Sequence, residues 1–194
     1  MRVHGDKEIR RRDGVINLND YRDARGILTE DFAGLCGYCG KNHLIMHEKF
    51  HIDHFVPKSL DEERINDYYN LVFACQKCNL IKSNKWPTGD KNIANKDNIG
   101  FVDPATSEFD KHINRSEQGY IVGLTKLGIQ MCSLLRFDIR RTDVYWKISI
   151  ISELQDSMET LHEQKLLNSK QKDFYIELNK LLKMLKNEAF KAGE

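Results

Sequence analysis

CGYCG (residues 36–40), FHIDHFVPKS (50–59) and NLVFACQKCNLIKSNK (70–85) are the three pieces of one stretch from which the fold can be read. Two Cys-x-x-Cys pairs, Cys36/Cys39 and Cys75/Cys78, bracket the dipeptide Asp53-His54, and Asn79 and Lys82 follow directly on the second pair. Each pair can occupy two adjacent vertices of a tetrahedral zinc ion across a single turn. The 35 residues between Cys39 and Cys75 are too many for a compact ribbon, so they must themselves be structured. Residues 49–56 are rich in aromatic and β-branched types and read as a strand that Pro57 ends. A polar loop (58–67) leads to a second short strand over 70–74, and a helix is expected from the second cysteine pair to Trp86-Pro87. A redox role for Cys-x-x-Cys needs a thioredoxin-like βαβ context that neither pair has.

A closed four-cysteine shell leaves no coordination position for water, so any chemistry must come from Asp53, His54, Asn70, Asn79 and Lys82 beside it. Asp53 and Asn79 each offer an oxygen to a hard divalent cation such as Mg²⁺. His54 can take a proton from an attacking water, and Lys82 shares a helix face with Asn79 within reach of the same phosphate. Taken singly, each residue has a plainer reading as packing, helix cap or solvated charge; their joint order within fifty residues is what carries weight. In a regular strand Asp53 and His54 point to opposite faces, so both can face one ion only where the strand twists or ends. His51 falls on the face opposite His54, at the surface or on phosphate. His43 and His47 are spare zinc-ligand candidates, and Cys132 in MCSLL reads as core filling.

Outward from this stretch, residues 1–19 are polar and basic, with Arg10, Arg11 and Arg12 in a row, and read as a solvated arm or one that contacts phosphate. A short helical pattern follows from Asp20, is interrupted by Gly26 and ends at Gly34. Residues 87–100 read as a long surface connection, and Phe101–Pro104 and Gly119–Val122 as short extended pieces. An apolar helix is expected over 128–137, a longer one capped by Thr142 or Asp143, and a last one over about 170–189. The last two suggest an antiparallel helical pair, available for packing within the chain, self-association or a protein partner. The division expected is an N-terminal arm and helix (1–32), a metal-organised unit (33–90) and a mainly helical C-terminal region (91–194).

Thirty basic residues nearly cancel 29 acidic ones, so no global field grips nucleic acid and any basic surface is local. No apolar run approaches the ~18 residues that a membrane span needs, and residues 1–14 have no apolar leader core, which suggests a cytoplasmic protein with no membrane partner. Pairing of four of the five cysteines then argues for metal ligation over disulfides.

At Cys36-Gly-Tyr-Cys39, Asp53-His54-Phe-Val-Pro57, Asn70-Leu-Val and Cys75-Gln-Lys-Cys78-Asn79-Leu-Ile-Lys82 the sequence resembles the HNH endonuclease family. The resemblance implies an α+β fold: a ββα-metal core with a structural four-cysteine zinc site, followed here by the helical region and its closing hairpin. It implies that His54 is the general base, that Asp53 and Asn79 hold catalytic Mg²⁺ or Mn²⁺, and that Asn70 holds the loop and orients His54. Lys82, Lys85 and His51 are the candidate nucleic-acid contacts. Where many members end the triad in His this chain has Asn79, an H-N-N variant that favours a hard ion. The implied activity is hydrolysis of phosphodiester bonds in nucleic acid, DNA foremost. Small bacterial and phage HNH proteins with helical extensions, some in anti-phage defence operons, are similar, and near-neutral charge suits a nuclease subunit of such a complex. The competing reading is a non-catalytic zinc-stabilised module that binds nucleic acid or protein.

Overall fold

The computed structural model describes residues 1–15 and 18–191; residues 16–17 of the expected arm and the last three of the expected C-terminal region lie outside it. The N-terminal segment is irregular but not a free arm. Val3, His4 and Ile9 are buried, and Arg11 passes its guanidinium inward to the Leu71 carbonyl (2.8 Å) and the Asp103 carboxylate (2.8 Å). Arg12 pairs with Asp31 and Glu30. Arg10 pairs with Asp13 at the surface, so all three arginines have their charges answered within the molecule; isolated apolar residues draw the polar run onto the core.

A single turn over Tyr21–Ala24, opened by the Asp20 carboxylate accepting from the Arg22 amide, runs into α1 (Arg25–Asp31). Gly26 sits inside α1 without breaking it, and Ala24, Leu28 and Phe32 form its buried side. Ala33 and Gly34 (φ 49° and 68°) turn the chain into the Cys36–Cys39 loop, after which Asn42 caps α2 (His43–Met46). At Gly40 (φ 67°) a Cβ would stand 2.5 Å from the Val3 carbonyl oxygen, so only glycine lets the N-terminal segment lie against the loop.

β1 (His51–His54) and β2 (Leu71–Ala74) pair antiparallel, with His51 opposite Ala74 and His54 opposite Leu71. All four residues of β2 are buried, so it lies within the core. α3 (Gln76–Lys82) follows β2 after one residue and ends where Ser83 adopts φ 46°. The expected surface connection contains a minimal hairpin, β3 (Asn95–Lys96) with β4 (Ile99–Gly100). Then come α4 (Phe109–His112), the antiparallel pair β5 (Ile113–Arg115) and β6 (Ile121–Gly123), and α5 (Lys126–Leu134). The two long helices are α6 (Thr142–Glu163) and α7 (Ser169–Lys191). Neither Thr142 nor Asp143 caps α6: both lie in its first turn, where Thr142 Oγ1 accepts from the Ile121 amide and Asp143 pairs with Arg141 and Lys147.

One hydrophobic core runs from Val3 to Phe137, and two small clusters lie between α6 and α7. Arg115 fastens the pieces together. Its buried guanidinium donates to the carbonyls of Val3 (2.9 Å), Cys39 (2.6 Å), Gly119 (2.7 Å) and Thr142 (3.4 Å). Among the described residues no helix is long and apolar enough to cross a membrane.

Candidate metal and catalytic centre

The four thiols of Cys36, Cys39, Cys75 and Cys78 are buried and lie within 4.8 Å of one another. Cys39 and Cys75 Sγ stand 3.7 Å apart, close to the ~3.8 Å edge of a tetrahedron with Zn–S bonds of about 2.3 Å. Backbone bonds set the loop: the Cys36 amide donates to the Lys41 carbonyl and the Gly37 amide to the Phe73 carbonyl on β2, both at 2.8 Å. Cys75 also caps α3, its Sγ accepting from the Cys78 amide. The donor set and its spacing fit zinc.

Cations surround this cluster. Arg140 Nη1 donates to Cys78 Sγ (3.3 Å), and Lys41 is buried with its ammonium 3.7 Å from the Tyr145 ring centre and paired with Glu48. Burial opposes both charges, but the nearby cysteines more than offset it and both pKa values are raised. Hydrogen bonds from Cys36, Cys75 and Cys78 hold Cys39 well below an ordinary thiol, so the cluster already favours a thiolate. His43 and His47 stay outside: His43 Nδ1 donates to the Gly34 carbonyl, and His47 is exposed. Cys132 lies apart on α5, buried.

Beside the cluster, an open cleft of about 330 Å³ brings together His51, Asp53, His54 and Asn79, with Tyr21 and Lys58 at its wall. β1 stops at His54, and Asp53 and His54 line the same cleft despite the alternation of a regular strand. A slightly larger recess of about 370 Å³ between α2 and the last helices is mainly apolar, so chemistry rather than size selects the cleft.

His54 Nε2 lies 2.8 Å from the Ile65 carbonyl. A carbonyl only accepts, so Nε2 carries the proton and Nδ1 is the free base. Burial holds the His54 pKa below the usual imidazole value, with Lys58 and Lys82 adding to the shift, and the ring is therefore neutral at pH 7. The Tyr21 ring packs edge-on against it at 4.9 Å. Asn70 is fully buried and staples the intervening loop: Oδ1 accepts from the Val56 amide (2.8 Å), and Nδ2 donates to the Val56 and Arg64 carbonyls. It does not touch the imidazole; it fixes the backbone on either side of the His54–Ile65 bond.

Asp53 is buried, and both its side-chain partners fall on Oδ2: the Tyr38 hydroxyl at 2.6 Å and Lys82 Nζ at 3.1 Å. Burial raises the Asp53 pKa despite these partners. Lys82 is the residue whose place differs most from expectation. It is fully buried on α3, donates to the His54 carbonyl (2.8 Å) and pairs with Asp53, so it faces β1 and not a phosphate in solvent. Lys85 is exposed but donates to the Leu134 carbonyl, and it does not line the cleft. Asn79 is half-buried on α3, and its side chain makes no hydrogen bond among the described residues, which leaves its amide oxygen available in the cleft.

Tyr38, Tyr21 and Lys58 belong to the site and carry no motif of their own. The tyrosine inside the first Cys-x-x-Cys was the available signal, since a phenol in a buried knuckle must find a partner. No curated protein sequence and no solved structure matches the chain. Residues 36–85, which run from the first zinc-ligand candidate past the end of α3, match the model of the HNH endonuclease family.

Proposed function

We infer that the chain is a metal-dependent endonuclease that hydrolyses phosphodiester bonds, with DNA as the expected substrate, and that β1, β2 and α3 form its ββα-metal unit. One observation carries the reading: His54 commits Nε2 to a carbonyl, which leaves Nδ1 as the base, and lines the same cleft as Asp53 and Asn79. Nδ1 takes the proton of an attacking water, the oxygen attacks phosphorus in line, and the 3′-oxygen leaves. Ile65 and Asn70 keep the imidazole in the tautomer and orientation this step needs. Asp53 Oδ1 and the Asn79 amide oxygen are the ligands for Mg²⁺ or Mn²⁺, which when bound would stabilise the charge developing on the phosphoryl and leaving oxygens. The Lys58 ammonium at the cleft wall and the half-buried His51 are the nearest groups for substrate phosphates.

The Asp53–Lys82 ion pair supports a second reading, in which Asp53 is purely structural and the domain binds without cleaving. Plasmid nicking with Mg²⁺ or Mn²⁺ and EDTA controls separates the two. His54→Ala is expected to lower the cleavage rate about 100-fold or more while zinc content and circular dichroism stay unchanged. A variant that retains more than a few percent of activity removes His54 from the role of base.

A further inference from the structure

α6 and α7 run antiparallel, and their register is fixed by three contacts. Gln155 donates to Asn179 (2.9 Å), His162 stacks on Tyr175 (centroids 5.5 Å apart), and Ile148 and Leu182 share one buried cluster. The side of α6 turned to the rest of the molecule buries Tyr145, Ser149 and Ser152. At 3.6 residues per turn, Ile150, Leu154 and Leu161 fall on the opposite flank, and the antiparallel register places Met184, Leu181 and Phe174 alongside them. These six side chains leave between 37% and 65% of their surface in solvent. Two adjacent helices of this length present a face of roughly 30 Å by 20 Å, on the order of 600 Å². That approaches the ~800 Å² per partner of an ordinary protein interface and exceeds what scattered surface apolar residues provide.

Charge identifies the occupant. After Lys147, α6 carries Glu153, Asp156, Glu159 and Glu163 and no lysine or arginine, whereas α7 carries six lysines against three carboxylates. We propose that a second copy of this chain docks on this face about a two-fold axis parallel to the helices, forming an antiparallel four-helix bundle. That axis lays each acidic α6 over the partner's basic α7. A two-fold axis running across the helices would instead stack α6 on α6, acid on acid. The register then sets Leu154 against the partner's Leu181, Leu161 against the partner's Phe174 and Ile150 against the partner's Met184. Glu153 lies on the outer flank beside the partner's Lys180.

Sedimentation equilibrium on the full chain tests this. The expected mass is twice 22.7 kDa, and Leu154→Glu or Leu181→Glu gives a monomer with unchanged helix content. Glu153→Lys and Lys180→Glu, both at exposed positions, each weaken the dimer about tenfold, and the double reversal restores it to within about twofold. A wild-type chain that stays at 22.7 kDa up to its solubility limit overturns the proposal. So does a dimer indifferent to Leu154→Glu, or a double reversal whose losses simply add.

Discussion

Lys82 holds its charge inside the molecule, and that placement decides what its removal does. Burial pulls the lysine down and pushes Asp53 up, so each ion relies on the other, on Tyr38 and on the His54 carbonyl to remain charged. Lys82→Met would leave the Asp53 carboxylate buried with the Tyr38 phenol and the His54 amide but no cation. The expected loss is about 3–5 kcal/mol of stability in urea unfolding of the zinc-loaded protein. A surface lysine that only touched phosphate would shift unfolding by less than about 0.5 kcal/mol, and that result would return Lys82 to the substrate side. Sequence spacing put Lys82 on the Asn79 face, and three residues along a helix do share a face. What spacing does not convey is that a four-carbon stem at the buried edge of that face can reach under β1 to a backbone carbonyl.

At the scale of elements, the second cysteine pair has two tasks at once, since Cys75 is both a ligand candidate and the N-cap of α3. A four-thiolate zinc site carries two net negative charges, and Arg140 is the cation that donates directly to one of its sulfurs. Arg140→Leu is expected to speed zinc release to a chromogenic chelator about tenfold while helix content by circular dichroism stays the same. An unchanged release rate would show that the guanidinium does not balance the site. The strands, α3 and the two last helices were legible in the sequence because their signals are local: Pro57 after an apolar run, cysteine pairs flanking another, and a 3.6-residue period sustained for twenty residues. β3 to β5 were not, because strands of two or three residues leave no period to read, and β6 showed only as the extended piece over Gly119–Val122. The N-terminal segment misled for another reason. Val3 and Ile9 stand alone among charges, and only the cavity each fills reveals that it is core.

At the scale of the molecule, the domain matched at 36–85 has no core of its own. Phe73 and Cys36 belong to the same buried cluster as Val3, Phe101, Met131 and Phe137. A fragment spanning 33–90, refolded with zinc, is therefore expected to lack the sharp cooperative unfolding of the full chain in differential scanning calorimetry. A sharp transition would show that the segment folds by itself. Arg115 makes this dependence concrete, for its guanidinium joins the carbonyl of a proposed zinc ligand to the N-terminal segment, the β5–β6 turn and the start of α6. The consequence is one of portability. Grafting 36–85 onto another scaffold would transfer every proposed metal ligand and leave behind the brace that holds the first pair of them in register.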